Sequence, residues 1–246
     1  MRFSMERTTI RPLFKYNNMQ IIHEDNHLIA VNKPAGWLVQ GDATGDKPLS
    51  DFVKDYIKRR YKKPGDVFLG VIHRIDRPVS GAVVFARTSK ALDRMNKIFA
   101  NREVDKTYWA LTSNRPDPIE GELGHFLLKD KAKNITKAYH QVGRRTADAK
   151  WSELTYKLLA GIGDNHLLEV RPKTGRSHQI RVQLASIGCP IKGDLKYGHP
   201  KANENASIHL HSRRLEFIHP VLKTPVTIEA DAPDDQLWNL FKGLDG

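Results

Sequence analysis

The chain is poor in cysteine and lacks any long apolar run. Its single cysteine among 246 residues, Cys189, rules out an intrachain disulfide and fits a reducing compartment. No stretch approaches the roughly 20 apolar residues that a membrane-spanning helix needs. The basic segment 1–18 lacks the apolar core of an export signal. We therefore expect a cytoplasmic protein without a membrane partner.

Acidic residues are also scarce relative to basic ones. Lysine and arginine outnumber aspartate and glutamate by 40 to 28, which gives a formal net charge of +12. Such an excess favours a polyanionic partner, and nucleic acid fits better than an anionic membrane surface. Hydrophobic residues make up 39% of the chain, which is enough for a sizeable core. No repeat, low-complexity tract or linker divides the sequence into separate domains.

Several catalytic signatures are missing. No Gly-x-Ser-x-Gly elbow presents a hydrolase serine, and no phosphate-binding glycine loop or dinucleotide fingerprint is found. Four of the 11 histidines lie near one another in sequence: His199, His209, His211 and His219. No cysteine or carboxylate set accompanies them at the spacing of metal ligands. We therefore predict no metal and no other cofactor.

One carboxylate stands between two arginines in residues 72–81, which read Ile-His-Arg-Ile-Asp-Arg-Pro-Val-Ser-Gly. Apolar runs at 67–72 and 82–86 flank the cluster and predict two buried strands joined by a loop. Asp76 would then lie on a loop between rigid elements, where functional residues are often held. By residue type alone, a purely structural ion pair is the more common outcome.

Hydrophobic periodicity predicts the other elements. Strands are expected over residues 19–23, 27–33, 106–111, 151–158, 166–170, 208–218 and 225–230. Helices are expected over residues 49–61, 89–101 and 234–242, and a short one begins near Ser177 and stops at Gly188.

Five motifs, in order, resemble those of one enzyme family. Residues 73–81 are similar to the His-Arg-Leu-Asp-Arg-x-Thr-Ser-Gly signature of the RluA-type pseudouridine synthases, with Ile75 and Val79 replacing leucine and threonine. The other motifs are Lys33-Pro34-Ala35-Gly36, Lys106-Thr107-Tyr108, Thr174-Gly175-Arg176-Ser177-His178-Gln179-Ile180-Arg181, and Gly188-Cys189-Pro190-Ile191-Lys192-Gly193-Asp194 running into Tyr197-Gly198. The resemblance covers about residues 20 to 220.

The resemblance implies an isomerase that converts uridine to pseudouridine in ribosomal or transfer RNA. Asp76 would be the catalytic carboxylate, acting either by addition or by proton abstraction from the ribose, and both roles stay open. Arg181 would pair with Asp76 and keep it ionised and aimed. Tyr108 and Ile180 would bracket the target base. Arg74 would fill the gap that the flipped base leaves in its stack.

The expected fold is α+β: a single pseudouridine synthase catalytic domain with a central, largely antiparallel mixed sheet flanked by helices. The catalytic cleft should cross the sheet between the Asp76 loop and the Arg181 helix. Residues 1–18 are interpreted as an N-terminal arm and residues 19–246 as the catalytic domain, without the separate RNA-binding domain that family members often carry. We expect a monomer.

Two other classes of protein are consistent with a basic chain. A catalytically silent RNA-binding protein on the same fold would be marked by loss of Asp76, Tyr108 or Arg181, and all three are present. A metal-dependent nuclease would be dismissed by activity that survives a chelator.

Overall fold

Twelve strands form one sheet in the computed structural model, which describes residues 14–16 and 19–244. The strands are β1 Phe14–Tyr16, β2 Met19–Glu24, β3 Leu28–Lys33, β4 Gly70–Val71, β5 Ser80–Ala86, β6 Asp105–Thr112, β7 Glu120–Asp130, β8 Ile135–Tyr139, β9 Lys150–Ile162, β10 Asn165–Pro172, β11 Leu210–Ile218 and β12 Pro225–Glu229. The helices are α1 Leu49–Arg60, α2 Ser89–Ala100, α3 Gln179–Ser186 and α4 Gln236–Asn239. Of the arm predicted over residues 1–18, residues 14–16 form β1 and the others lie outside the described residues.

The strand order along the sheet is β1-β2-β3-β5-β11-β6-β10-β9-β7-β8, with β4 beside β5 and β12 beside β11. Every described pair is antiparallel except β5 with β11, which is parallel. The largely antiparallel mixed sheet expected from the sequence is therefore confirmed.

Helices cover both faces of the sheet. Successive side chains of a strand point to opposite sides, so one buried strand contributes to the core on each face. Along β5, Val83 packs in the apolar cluster that α1 and α3 share, whereas Val84 packs in the cluster that contains α2. Trp238 of α4 packs with Leu111 and Leu167 in a third cluster. None of the helices within residues 19–244 is long and apolar enough to cross a bilayer.

The parallel contact between β5 and β11 requires a glycine. Gly81 has φ +116°, and a Cβ atom added there would lie 2.3 Å from the backbone oxygen of Ser212. The two backbones approach this closely where Ser80 and Gly81 pair with His211 and Ser212. Because β5 begins four residues after Asp76, this contact places the Asp76 loop against the middle of the sheet.

Gly81→Ala is expected to lower the free energy of unfolding by about 3 kcal/mol or more, since it adds a backbone clash to an unfavourable φ. A urea titration would measure this as a lower midpoint at unchanged slope. Gly45→Ala is the matched control, because Gly45 has φ +78° but no atom within 4 Å of the added Cβ. The control should lose only about 1–2 kcal/mol, the cost of the left-handed backbone alone. Equal losses for the two variants would contradict the close-approach argument.

One predicted strand is much shorter than expected. Residues 67–72 were predicted to form a buried strand, but only Gly70–Val71 pairs with β5, and Phe68 is 49% exposed. The reason lies in the tertiary structure, because two strands share one edge of β5. β11 pairs with Ser80 and Gly81 at the start of β5, and β4 pairs only with Phe85 and Ala86 at its end. The segment that remains, residues 72–79, is therefore a loop that carries the carboxylate.

Candidate active site

A pocket of about 110 Å³ opens between the 72–79 loop, β6 and the start of α3. Its lining includes all five residues that the sequence singled out: Arg74, Asp76, Tyr108, Ile180 and Arg181. The pocket lies between the Asp76 loop and the Arg181 helix, where the cleft was predicted. These residues come from three separate motifs, which the sheet brings together.

The turn that carries Asp76 is fixed by backbone and lysine contacts. Val79 N–H donates to Asp76 O at 3.0 Å, and Gly36 N–H donates to Arg77 O at 2.8 Å. Lys33, which is fully buried, donates from Nζ to Arg77 O at 3.2 Å and to two carbonyls of the adjacent turn. Burial lowers the pKa of Lys33 to about 7, against the opposing effect of the Asp76 charge. The motif Lys33-Pro34-Ala35-Gly36 therefore supports the Asp76 turn.

The loop before α3 is held closed by Gln179. Its Oε1 accepts from Thr174 Oγ1 at 2.8 Å and from Arg176 N–H at 3.0 Å, and its Nε2 donates to Glu153 O at 2.9 Å. These bonds tie the start of α3 to β9. They also fix the direction in which Arg181, two residues further on, projects.

Arg181 contacts two carboxylates from a buried position. Its Nη1 donates to Asp76 Oδ2 at 3.1 Å, while Nε and Nη2 donate to the two oxygens of Asp194 at 2.7 and 2.8 Å. Only 5% of Arg181 is exposed, so the whole side chain lies inside the protein. Burial disfavours its charge, but the bonds and charges of Asp194 and Asp76 together raise the pKa of Arg181.

Sequence reasoning missed the role of Asp194. This carboxylate is 1% exposed and forms a bidentate pair with Arg181, the geometry that most restricts a guanidinium. It therefore holds Arg181 in place while the remaining nitrogen reaches Asp76. Its position at the end of the fifth motif was the available signal, but nothing in the local pattern identified its partner.

The two oxygens of Asp76 differ in environment. Oδ2 accepts from Arg181, whereas Oδ1 has no hydrogen-bond partner within the part of the chain that the structure describes. The side chain is 28% exposed and lines the pocket. One oxygen is thus held and the other is available to a bound molecule.

Tyr108 and Ile180 supply the apolar surface of the pocket. Ile180 is 6% exposed and belongs to the main core cluster, against which Tyr108 packs. Burial raises the pKa of Tyr108 to about 12, and the negative charge of Asp76 acts in the same direction. The phenol is therefore neutral at physiological pH and can serve as a hydrogen-bonding aromatic surface.

Basic side chains surround the pocket. Arg74 is exposed at the lining and has no ion-pair or hydrogen-bond partner among the described residues. Lys106 and Arg176 also line the pocket, and Lys129 of the β7–β8 hairpin donates to Ser177 Oγ at 3.1 Å. The site therefore offers several cations and one carboxylate, which suits an anionic polymer as ligand.

The histidines considered as metal ligands have protein partners. His211 contacts Ser80 Oγ at 2.8 Å through Nδ1 and Ala230 O at 3.0 Å through Nε2, while His209 Nδ1 contacts Asn203 at 3.1 Å. Among residues 19–244, no group of three or more His, Cys, Asp or Glu side chains is arranged to hold a metal ion.

A carboxylate held by a buried arginine in a basic pocket suits an enzyme that acts on a polyanion such as a nucleic acid. The RNA pseudouridylate synthase family matches residues 27–186 of this chain. The chain is 33% identical over 242 residues to tRNA pseudouridine synthase C of Vibrio cholerae serotype O1, covering 89% of this chain and 93% of that protein. It is 31% identical over 236 residues to ribosomal large subunit pseudouridine synthase D of Zymomonas mobilis subsp. mobilis, covering 92% of this chain and 73% of that protein. The chain therefore belongs to the RNA pseudouridylate synthase family, in its RluA-type branch, and is an RNA-modifying isomerase.

Solved structures show the same fold. Human RNA pseudouridylate synthase domain containing 4 superposes with a TM-score of 0.71 at 24% identity, covering 87% of this chain and 88% of that one. Human RNA pseudouridylate synthase domain containing 1 gives a TM-score of 0.68 at 22% identity, with coverages of 92% and 94%.

Proposed function

We propose that Asp76 is the catalytic carboxylate in the isomerisation of specific uridines to pseudouridine in ribosomal or transfer RNA. The observation that carries this proposal is the 3.1 Å ion pair from Arg181 to one oxygen of Asp76, a pocket-lining residue whose other oxygen has no hydrogen-bond partner among the described residues. The relatives named as tRNA and ribosomal large subunit synthases support these two classes of RNA.

The reaction matches the groups that the site provides. The N1–C1′ glycosidic bond of uridine breaks, the C5–C1′ bond forms, and the C5 proton is lost while N1 gains one. The isomerisation involves no net oxidation or reduction, so it requires no redox partner. A carboxylate acting at the sugar is a common device in glycosyl chemistry. Asp76 is proposed to act there through Oδ1, with Oδ2 held by Arg181.

Tyr108 and Ile180 are proposed to bracket the uracil ring. A neutral phenol next to a buried aliphatic side chain offers an apolar slot with one polar group, which suits a planar base. The position of both residues in the lining of the pocket supports this assignment.

Arg74 is proposed to replace the flipped uridine in its stack. A base must leave the helix to reach a recessed carboxylate, and a side chain that fills the gap lowers the cost of opening. Arg74 suits this role because it is exposed at the pocket and has no partner among the described residues that would have to be broken. A monomer in the cytoplasm is proposed as the active form.

The direct test is to map pseudouridines in cellular RNA with and without the gene, then repeat the reaction with purified protein on the affected RNA. We expect one or a few uridines to lose the modification in the deletion strain and regain it in vitro without added metal. An unchanged map together with an inactive purified protein would favour the catalytically silent RNA-binding alternative.

RNA affinity should fall steeply with salt because the basic surface must bind through phosphates. Five phosphate contacts would weaken binding about 100-fold between about 50 and 200 mM salt. Arg176→Gln, at the exposed edge of the pocket, should reduce the slope of log affinity against log salt by about 0.7. Lys242→Gln is the control, since that lysine follows α4 and bonds Asp234. A salt-insensitive affinity would contradict the prediction.

A further inference from the structure

His178 lies beside the held oxygen of Asp76. Its Nε2 is 3.8 Å from Asp76 Oδ2, the same oxygen that accepts from Arg181, and its side chain is 7% exposed. This distance exceeds that of a hydrogen bond by about 1 Å. Catalytic hydrogen bonds are often long before substrate binds and shorten in the complex.

The other ring nitrogen of His178 is occupied by a tyrosine. Nδ1 lies 2.7 Å from the hydroxyl of Tyr197, and this hydroxyl accepts from Thr136 N–H at 2.8 Å. Because this hydroxyl accepts from Thr136, it can donate its own proton to Nδ1. The ring proton of a neutral His178 is then on Nε2, which points toward Asp76.

The imidazole is neutral at physiological pH. Burial lowers the pKa of His178 to about 4; the charge of Asp76 opposes this shift, and the cations of Arg181, Lys129 and Lys196 reinforce it. His178 therefore lies beside Asp76 as a neutral imidazole.

The backbone at His178 is strained. The residue has φ +55°, a left-handed conformation that non-glycine residues rarely adopt and that concentrates at functional sites. The ring of Tyr197 packs edge-on against His178, with centroids 5.6 Å apart, and the Arg181 guanidinium lies 5.0 Å from the same ring. Tyr197 thus supports both side chains that approach Asp76 Oδ2.

We propose that His178 is a positioning residue that donates from Nε2–H to Asp76 Oδ2 in the RNA complex, with its tautomer set by Tyr197. Two donors on Oδ2 would orient the carboxylate so that Oδ1 faces the sugar. This inference rests on the proposed function of Asp76 and adds His178 to Arg181 as a second group that orients the carboxylate.

The first test is His178→Gly with and without added imidazole. Glycine tolerates the left-handed backbone at no steric cost, so the variant keeps the start of α3. We expect kcat to fall about tenfold with KM for the RNA within about twofold, because only the aim of the carboxylate is lost. Imidazole should restore kcat of His178→Gly several-fold, and should leave wild-type protein and Asp76→Asn unchanged.

The second test removes only the hydroxyl of the tyrosine. Tyr197→Phe keeps the ring under Arg181 and should lower kcat about threefold to tenfold. Because Tyr197 is proposed to act through His178, the double variant should be no slower than His178→Gly alone. Tyr61→Phe is the matched control: it removes a hydroxyl that donates to Glu24 at 2.9 Å and should leave kcat unchanged.

Full kcat in His178→Gly, absence of rescue by imidazole, or additive losses in the double variant would each overturn the role of His178. These outcomes are distinguishable from failure of the proposed function. If Asp76→Asn turned over at the wild-type rate, the role of Asp76 would be wrong, and the positioning role would fall with it.

Discussion

Asp76→Asn is expected to reduce single-turnover isomerisation by at least about a thousandfold while leaving the fold intact. The amide preserves the shape of the side chain and removes the charge and basicity that the chemistry uses. Arg181 would not become an unpaired buried charge, because it keeps its bidentate bonds to Asp194. Stability and RNA affinity should therefore change little.

The matched control for this prediction is Asp46→Asn. Asp46 forms a 2.7 Å ion pair with Arg77, the residue that follows Asp76 in sequence, but both partners are about half exposed. Such surface pairs contribute about 0–1 kcal/mol, so turnover should be unaffected. Retention of more than a few per cent of the wild-type rate by Asp76→Asn would count against the catalytic assignment.

Arg181→Lys and Arg74→Ala are expected to fail in different ways. Lysine keeps the charge at position 181 but cannot pair with Asp194 through two nitrogens and reach Asp76 with a third. We expect about a hundredfold loss of rate on every RNA, because the defect lies in the carboxylate itself. Lysine is the better probe than methionine, since removing the charge would leave Asp194 buried without its partner.

Arg74→Ala should instead depend on the structure of the RNA. Opening a stacked base costs a few kcal/mol, and the cost is smaller when the base is already unpaired. The measurement is the single-turnover rate of both variants on one RNA with the target uridine either paired or bulged. The bulge should restore most of the activity of Arg74→Ala and none of that of Arg181→Lys. Lys97→Ala, on the exposed side of α2, should match wild type on both RNAs.

Equal rescue of both variants by the bulge, or of neither, would contradict the assignment of Arg181 to the carboxylate and of Arg74 to the opened stack. Loss of RNA binding by Arg181→Lys would point to a different fault, since Arg181 is 5% exposed and has carboxylates as its hydrogen-bond partners.

The local hydrophobic pattern of the sequence predicted most of the strands and helices that bury one face. The strands expected at 19–23, 27–33 and 106–111 are found within one residue of those limits, because alternation reports which side of a strand is buried. It failed at 67–72, where an apolar run pairs over only two residues. Burial can be inferred from such a run, but the length of its pairing depends on what else occupies the neighbouring edge.

By itself the sequence determined the basic charge, the strand and helix periods, and, through the resemblance, five of the residues that line the pocket. Tertiary structure decided the pairing of Asp194 with Arg181, the position of His178 beside Asp76 and the parallel contact of β5 with β11. These contacts join residues that are not neighbours in sequence: Arg181 and Asp194 are 13 residues apart, and Ser80 of β5 and His211 of β11 are 131 apart. Hydrophobic periodicity shows which residues of a local segment are buried and which are exposed. It does not show which residue pairs with a buried charge, because that partner is brought close only by the folded sheet.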